Sequence, residues 1–87
     1  MRNFVFTKYA EKQFLQLEIS LQKRILQKLQ ELKHMKNTAL FLKPLKSFQY
    51  ASHRIRIGDY RLIVNVLDNS EKIIILKVGH RKNIYNS

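Results

Sequence analysis

His53-Arg54-Ile55-Arg56-Ile57-Gly58-Asp59-Tyr60-Arg61-Leu62-Ile63-Val64-Asn65-Val66 is the stretch that decides the fold of this chain. Apolar and basic residues alternate as far as Ile57, the dipeptide Gly58-Asp59 interrupts, and a β-branched run follows. Period-two alternation on both sides of a Gly-first dipeptide predicts a β-hairpin closed by a two-residue turn of type II′. With Gly58 and Asp59 as the loop, Ile57 faces Tyr60, Arg56 faces Arg61, Ile55 faces Leu62 and Arg54 faces Ile63. Successive side chains alternate between faces. One face therefore carries Ile55, Ile57, Tyr60, Leu62, Val64 and Val66, and the other carries Arg54, Arg56 and Arg61.

In that register Arg56 and Arg61 stand directly across from each other. Opposed like charges destabilise a strand pair by roughly 0.2–1 kcal/mol. A lone arginine would be read as part of a solvated face. Three on one face, two of them opposed, point to an anion that sits among them, and phosphate is the usual partner of clustered guanidinium groups.

Working outward, Arg2 to Phe6 reads as a short strand and Thr7 as a helix N-cap. A first helix is expected over about Lys8 to Glu18, with Tyr9, Ala10, Phe14 and Leu17 on its apolar face. Ser20 is a second candidate N-cap, for a helix over Leu21 to about Lys33 with the stripe Leu21, Ile25, Leu26, Leu29 and Leu32. So short a connection makes the two helices an antiparallel hairpin. Between Met35 and Ser52 regularity fades. Leu40, Phe41, Leu42 and Leu45, and with them Phe48 and Tyr50, are expected to pin this segment to the core, and Pro44 biases Lys43 away from helix. Beyond the hairpin, Leu67 to Glu71 forms a second turn. Lys72 to Val78 is the last strand, with Ile74, Leu76 and Val78 on one face and Ile73, Ile75, Lys77 and, past Gly79, Arg81 on the other. A short basic tail ends the chain.

The expected architecture is α+β: an N-terminal strand, an α-helical hairpin and a three-stranded antiparallel meander, with the helices on one sheet face. The first strand joins at an edge or beside the last strand. The 87 residues suffice for one domain spanning the whole chain, 45% of them hydrophobic. There is no cysteine, hence no disulfide and no thiolate metal site, which fits a cytoplasmic protein. No apolar run approaches the roughly 18–20 residues of a membrane span. Lys and Arg total 17 against 6 Asp and Glu, a formal net charge of +11, which calls for a polyanionic partner.

At Arg54-Ile55-Arg56-Ile57-Gly58-Asp59-Tyr60-Arg61 and Val78-Gly79-His80-Arg81-Lys82-Asn83-Ile84-Tyr85 the sequence resembles the RelE branch of the RelE/ParE toxin superfamily, whose members read like YRIRVGDYR followed about twenty residues later by VGHRxxVY. Phe6-Thr7-Lys8-Tyr9-Ala10 and Gln22-Lys23-Arg24-Ile25 are similar to family helices. The chain departs from the pattern at His53, where Tyr is common, and at Ser47, where Gly is common. The resemblance implies the toxin of a type II toxin–antitoxin system. Such a toxin is a ribosome-dependent endoribonuclease that cuts mRNA in the ribosomal A site, and a cognate, acidic antitoxin encoded beside it holds it inactive and assembles with it. Carried over residue by residue, it implies Arg54, Arg56, Arg61, Arg81 and Tyr85 as the catalytic set, with neither cofactor nor metal.

RelE-like cleavage resembles transphosphorylation by the ribose 2′-OH, which needs a proton removed, the charge on the phosphorane neutralised and the leaving 5′-oxygen protonated. Arg61 and Arg81 are expected to clamp the phosphate with help from Arg56, while Arg54 or Tyr85 takes part in proton transfer; Tyr85 alternatively stacks on a base. Some members carry lysines at the first two basic positions, one of them thought to be the general base, and arginine does not readily fill that role. Lys77 and Lys82 are candidate RNA contacts, while Lys23, Arg24 and Lys28 on the second helix read first as a solvated face, with contact to ribosomal RNA as the alternative that makes Lys23 and Arg24 candidate RNA-binding residues. His80 and His53 fall on core parity and read as packing residues, with His80 a minor acid/base candidate, and His34 reads as a helix C-terminal cation. Two other functions share these features: a ParE-like poison of DNA gyrase, which needs no basic catalytic face, and a non-catalytic RNA- or ribosome-binding domain.

Overall fold

A computed structural model describes residues 2–46 and 50–84. The elements run β1 (Asn3–Phe6), α1 (Lys8–Leu15), α2 (Ile19–Leu32), β2 (Lys43–Pro44), β3 (His53–Ile57), β4 (Tyr60–Leu67) and β5 (Lys72–His80), with short 3-10 turns at Thr38–Leu40 and Asp68–Ser70. The five strands form one sheet in the order β1-β5-β4-β3-β2. β1 lies parallel beside β5, and the other pairs are antiparallel. The α+β architecture read from the sequence is the one observed. The β3–β4 register is also the expected one, from Ile57 opposite Tyr60 to Arg54 opposite Ile63.

Both helices lie on the face of Ile55, Leu62 and Val64. Ala10 and Phe14 of α1 and Ile25, Leu29 and Leu32 of α2 pack there against Ile55, Ile57, Leu62, Val64, Ile73, Ile75 and Val78. Truncating a fully buried member such as Ile55 or Leu62 to alanine costs about 2–5 kcal/mol. Thr7 caps α1 as expected, its hydroxyl accepting from the Ala10 N–H at 3.1 Å. Ser20 does not cap α2: the helix begins at Ile19, its N-cap is Glu18, and no side chain bonds there. α1 ends at Leu15, three residues before the expected boundary, and Gln22 Nε2 donates to the Leu15 and Leu17 carbonyls at the corner. Tyr9 and Leu26, placed on apolar stripes from sequence, are about half exposed because the stripes of two small helices are narrower than their apolar content. Phe41 and Leu42 do anchor the long connection, whereas Leu40 and Tyr50 are exposed; Phe48 lies outside the described residues.

The last strand departs from simple alternation. Ile63 faces Lys77 but Val64 faces Ile75, so Leu76 is an extra residue, a β-bulge. The bulge reverses parity: Ile73, Ile75 and Val78 are the buried residues, not Ile74, Leu76 and Val78. Lys77 stays on the side of Ile63 and Arg54. β1 pairs only as far as Ile75, and α1 takes over the exposed edge beyond it. The Thr7 N–H donates to the Ile75 carbonyl at 3.0 Å, and Gln13 Oε1 accepts from the Val78 N–H at 2.7 Å.

The β4–β5 turn is held from a distance. Asp68, Asn69 and Ser70 all have positive φ, at 52°, 53° and 71°. That is the left-handed region, which costs a residue with a Cβ roughly 1–2 kcal/mol. Arg2 secures it: Nε donates to the Ser70 carbonyl at 2.8 Å, while Nη1 donates to Leu32 and Met35 at the end of α2 at 2.7 and 2.8 Å. The same guanidinium lies 5.3 Å from the Phe41 ring centre. One cation thus satisfies orphan carbonyls at the helix C-terminus and ties that terminus to the sheet.

Candidate nucleic-acid interface

The arginine hairpin closes through Gly58 at φ +59°, with Asp59 not in the left-handed region, as a type II′ turn requires. Arg61 is the buried charged residue of the chain, 9% exposed. Its Nη1 donates to the carbonyls of Gly58 and Tyr60, both at 3.0 Å. Those bonds fix the guanidinium and stiffen the turn. Arg56 is exposed opposite it, and the strain of placing two cations face to face is relieved by sinking one and leaving the other in solvent.

Arg54 and Arg56 lie on a different border of the site from Arg61. β2 is only two residues long and pairs Lys43 with Arg54 and Pro44 with His53, so among the described residues β3 is an edge strand from Ile55 onward. There Arg54 and Arg56 line a cleft whose other wall is α2. Among the described residues neither makes an ion pair. Lys43 stands beside Arg54, a second juxtaposition of like charge on the same strand.

The C-terminal motif supplies the remaining border. The Arg81 N–H donates to the Asp59 carbonyl at 2.8 Å, which ties the end of β5 to the hairpin turn. Its side-chain Nε lies 3.8 Å from Asp59 Oδ1, a long pair between exposed groups. Such a pair is worth about 0–1 kcal/mol and is easily exchanged for a stronger anion. The chain then turns back, with the Asn83 and Ile84 N–H groups donating to the His80 carbonyl at 2.9 and 3.0 Å. Ile84 is buried against Gly79, where a Cβ would meet Ile84 Cδ1 at 2.9 Å. Gly79 faces Arg61 across the ladder, so the tail occupies part of the face that the sequence left open. Ile63 is also buried on that face, outside the core cluster that packs under the helices.

The other expected residues separate clearly. Arg24 lines the cleft with Arg56 and Gly58, whereas Lys23, one residue earlier and so about 100° round the helix, is exposed and lines neither half of it. Lys77 is half-buried opposite Ile63, and Lys82 is exposed on the returning tail. Tyr85 lies outside the described residues. His80 sits on core parity, edge-on to Tyr60 with ring centres 5.4 Å apart, and its Nδ1 accepts from the Lys82 N–H at 3.1 Å. That bond holds the proton on Nε2 and leaves no free ring acceptor in the neutral form. His53 Nδ1 is bonded to Ser52 Oγ at 2.8 Å, as befits a packing residue. Lys28, read from sequence with Lys23 and Arg24 as part of a solvated helix face, stands one turn from Arg24 and lines the same cleft. Asp59 was taken only as a turn residue. No spacing rule signals its pairing with Arg81, which exists only once β5 has come back beside the turn. Among the described residues no three His, Cys, Asp or Glu side chains gather to hold a metal ion, and no helix is long and apolar enough to cross a membrane.

Comparison with known proteins places this geometry. The toxin of the archaeal RelE–RelB complex from Pyrococcus horikoshii superposes with a TM-score of 0.71 at 25% identity, over 94% of this chain and 97% of that one. The RelB–RelE complex of Methanococcus jannaschii contains a chain 29% identical, with a TM-score of 0.65 over 94% of this chain and 95% of that one. The intact E. coli RelBE complex shares the fold at 20% identity, with a TM-score of 0.70 over 92% and 96%. No curated protein is significantly similar in sequence. The family model of the ParE toxin of the type II toxin–antitoxin system parDE matches residues 4–85, and the chain therefore belongs to that toxin family, within the RelE/ParE superfamily.

Proposed function

We propose that this toxin is a ribosome-dependent endoribonuclease that cleaves mRNA in the ribosomal A site, with a cognate acidic antitoxin as its inhibitory partner in the cytoplasm. The observation that carries this reading is the state of the hairpin arginines. Arg54 and Arg56 have no carboxylate partner among the described residues, and Arg81 has a 3.8 Å pair with an exposed Asp59. Arg54, Arg56 and Arg81 thus flank the hairpin with little compensation among the described residues, an arrangement that suits a doubly substituted phosphate becoming a dianionic phosphorane. The 2′-oxygen forms a bond to phosphorus as the bond to the 5′-oxygen breaks, leaving a 2′,3′-cyclic end; the 2′-OH proton departs to a base and the 5′-oxygen gains one. Arg56 and Arg81 hold the nonbridging oxygens from opposite sides of the turn, and Arg61 adds charge from beneath while it sets the turn's shape. Arg54 or Tyr85 assists proton transfer, or Tyr85 stacks on the base.

The test is cleavage of mRNA on programmed ribosomes, with the ends analysed for 2′,3′-cyclic phosphate. Intact mRNA would overturn the reading. The family model favours a second reading, because its description is that of a ParE toxin. A gyrase poison would produce gyrase-dependent DNA breaks and leave programmed ribosomes untouched, and it would be insensitive to neutralisation of Arg56.

A further inference from the structure

The cleft between α2 and the free edge of β3 carries more charge than the reaction requires. From the hairpin turn to β2 its cations are Arg24, Lys28, Arg56, Arg54 and Lys43, and the half toward β2 is also lined by the apolar Leu32, Met35, Leu40 and Phe41. Lys28 and Arg56 line both halves, so the groove is continuous. Its carboxylate, Glu31, reaches Lys28 at 3.5 Å, an i,i+3 pair between side chains about half exposed. Arg24, Arg54, Arg56 and Lys43 make no ion pair among the described residues. The Arg24 guanidinium lies beside the turn, where a Cβ at Gly58 would stand 3.4 Å from its Nη2. From Arg54 to Gly58 the strand advances four residues, about 13 Å. Five cations against one carboxylate over that length repel one another in the free protein, and the fold gains nothing from holding them together.

We propose that this groove binds the sugar-phosphate backbone of the single-stranded RNA substrate, on one side of the scissile phosphate. The strand runs along the β3 edge and α2. It does not cross the sheet face, where Ile84 already lies over Gly79. Arg24 and Lys28, one helical turn apart, grip successive phosphates, and Arg56 belongs to both groove and reaction centre. The inference rests on the RNA reading above, and it adds α2 to the binding surface.

Arg24→Gln with Lys28→Gln tests it, since both lie on the solvent side of α2. The probe is a short 2′-O-methylated single-stranded RNA, which cannot be cleaved, titrated against the toxin at several salt concentrations. Loss of two phosphate contacts should lower affinity several-fold and flatten the plot of log K against log salt by about 1.4. Gln27→Glu, which adds a carboxylate between the two cations without removing either, should weaken binding in the same direction. Unchanged RNA affinity and slope in both variants, with wild-type toxin still cleaving mRNA on ribosomes, would overturn the groove and leave the enzyme reading standing. Absence of cleavage by the wild type would instead strike the enzyme reading, while the oligonucleotide titration still judges the groove. Weaker binding to ribosomes lacking mRNA, with oligonucleotide affinity unchanged, would assign the groove to ribosomal RNA. A selective loss of antitoxin affinity would assign it to an acidic protein segment. Either result would overturn the proposal.

Discussion

The two ends of β4 are built alike and used differently. At each end a tight turn is secured by an arginine that donates to backbone carbonyls. Arg2 serves the Asp68–Ser70 turn and Arg61 the Gly58-Asp59 turn. At the first end nothing is left over, for Arg2 also bonds Leu32 and Met35 and lies over Phe41. At the second end Arg61 is surrounded by further cations, Arg56, Arg54, Arg24 and Arg81, of which only Arg81 has a carboxylate within reach among the described residues. The difference teaches that the number of arginines does not measure a site. What matters is which guanidinium groups the fold has already supplied with acceptors and which it has left for a ligand.

The comparison breaks most visibly if Arg56→Ala cleaves mRNA on ribosomes as fast as the wild type. The expected loss is about 100-fold or more, the usual cost of removing one charge-stabilising donor. Its thermal stability should move by no more than about 0.5 kcal/mol, because an exposed cation opposite another cation contributes nothing to the fold. Arg2→Ala should do the reverse. Losing three charge-assisted bonds, two of them to the Ser70 and Met35 carbonyls and the third to a Leu32 carbonyl that keeps the Met35 N–H, costs about 2–3 kcal/mol, readable as a lower denaturation midpoint, while cleavage per folded molecule is retained. Equal effects of the two variants on both measurements would erase the distinction. The smallest effect sharpens it: Ser70→Gly relieves a positive φ of 71° and should stabilise by up to about 1 kcal/mol with no change in cleavage. If Ser70→Gly is destabilising, the turn is not strained as described.

Much of the fold was legible in the residues. The β3–β4 register follows from period-two alternation and the Gly-first dipeptide, because a two-residue turn leaves one pairing. Thr7 announces α1 through a bond to a neighbour three residues away, and the stripe of Ile25, Leu29 and Leu32 announces the buried face of α2. These are local interactions, and short sequence windows contain both partners. The failures were nonlocal. The bulge at Leu76 leaves no mark in a run of apolar residues, and its Val78 N–H is satisfied by Gln13, sixty-five positions away. Ser20 looked like a cap because its type suits one, but the helix starts a residue earlier.

The candidate site divides the same way. The types and spacing of Arg54, Arg56, Arg61 and Arg81 marked them from the sequence. Alternation alone put three of them on one uniform open face. In the structure Arg61 is sunk beneath the turn, Arg54 and Arg56 line an edge cleft with α2, and Arg81 borders the turn from the end of β5. Lys28, one helical turn from Arg24, reads from sequence as part of a solvated face, because only the tertiary structure brings α2 past the edge of β3.

By itself, then, the chain determined its strands, its helices, the hairpin register and an excess of positive charge, since each rests on backbone geometry or residue type over a few neighbouring positions. Only the tertiary structure decided where that charge is exposed. β2 is too short to cover β3, so the edge beside α2 stays open, while Ile84 returns over Gly79 and closes part of the face. Both outcomes depend on which distant segments exclude water from which surface, and no local window of sequence carries that information.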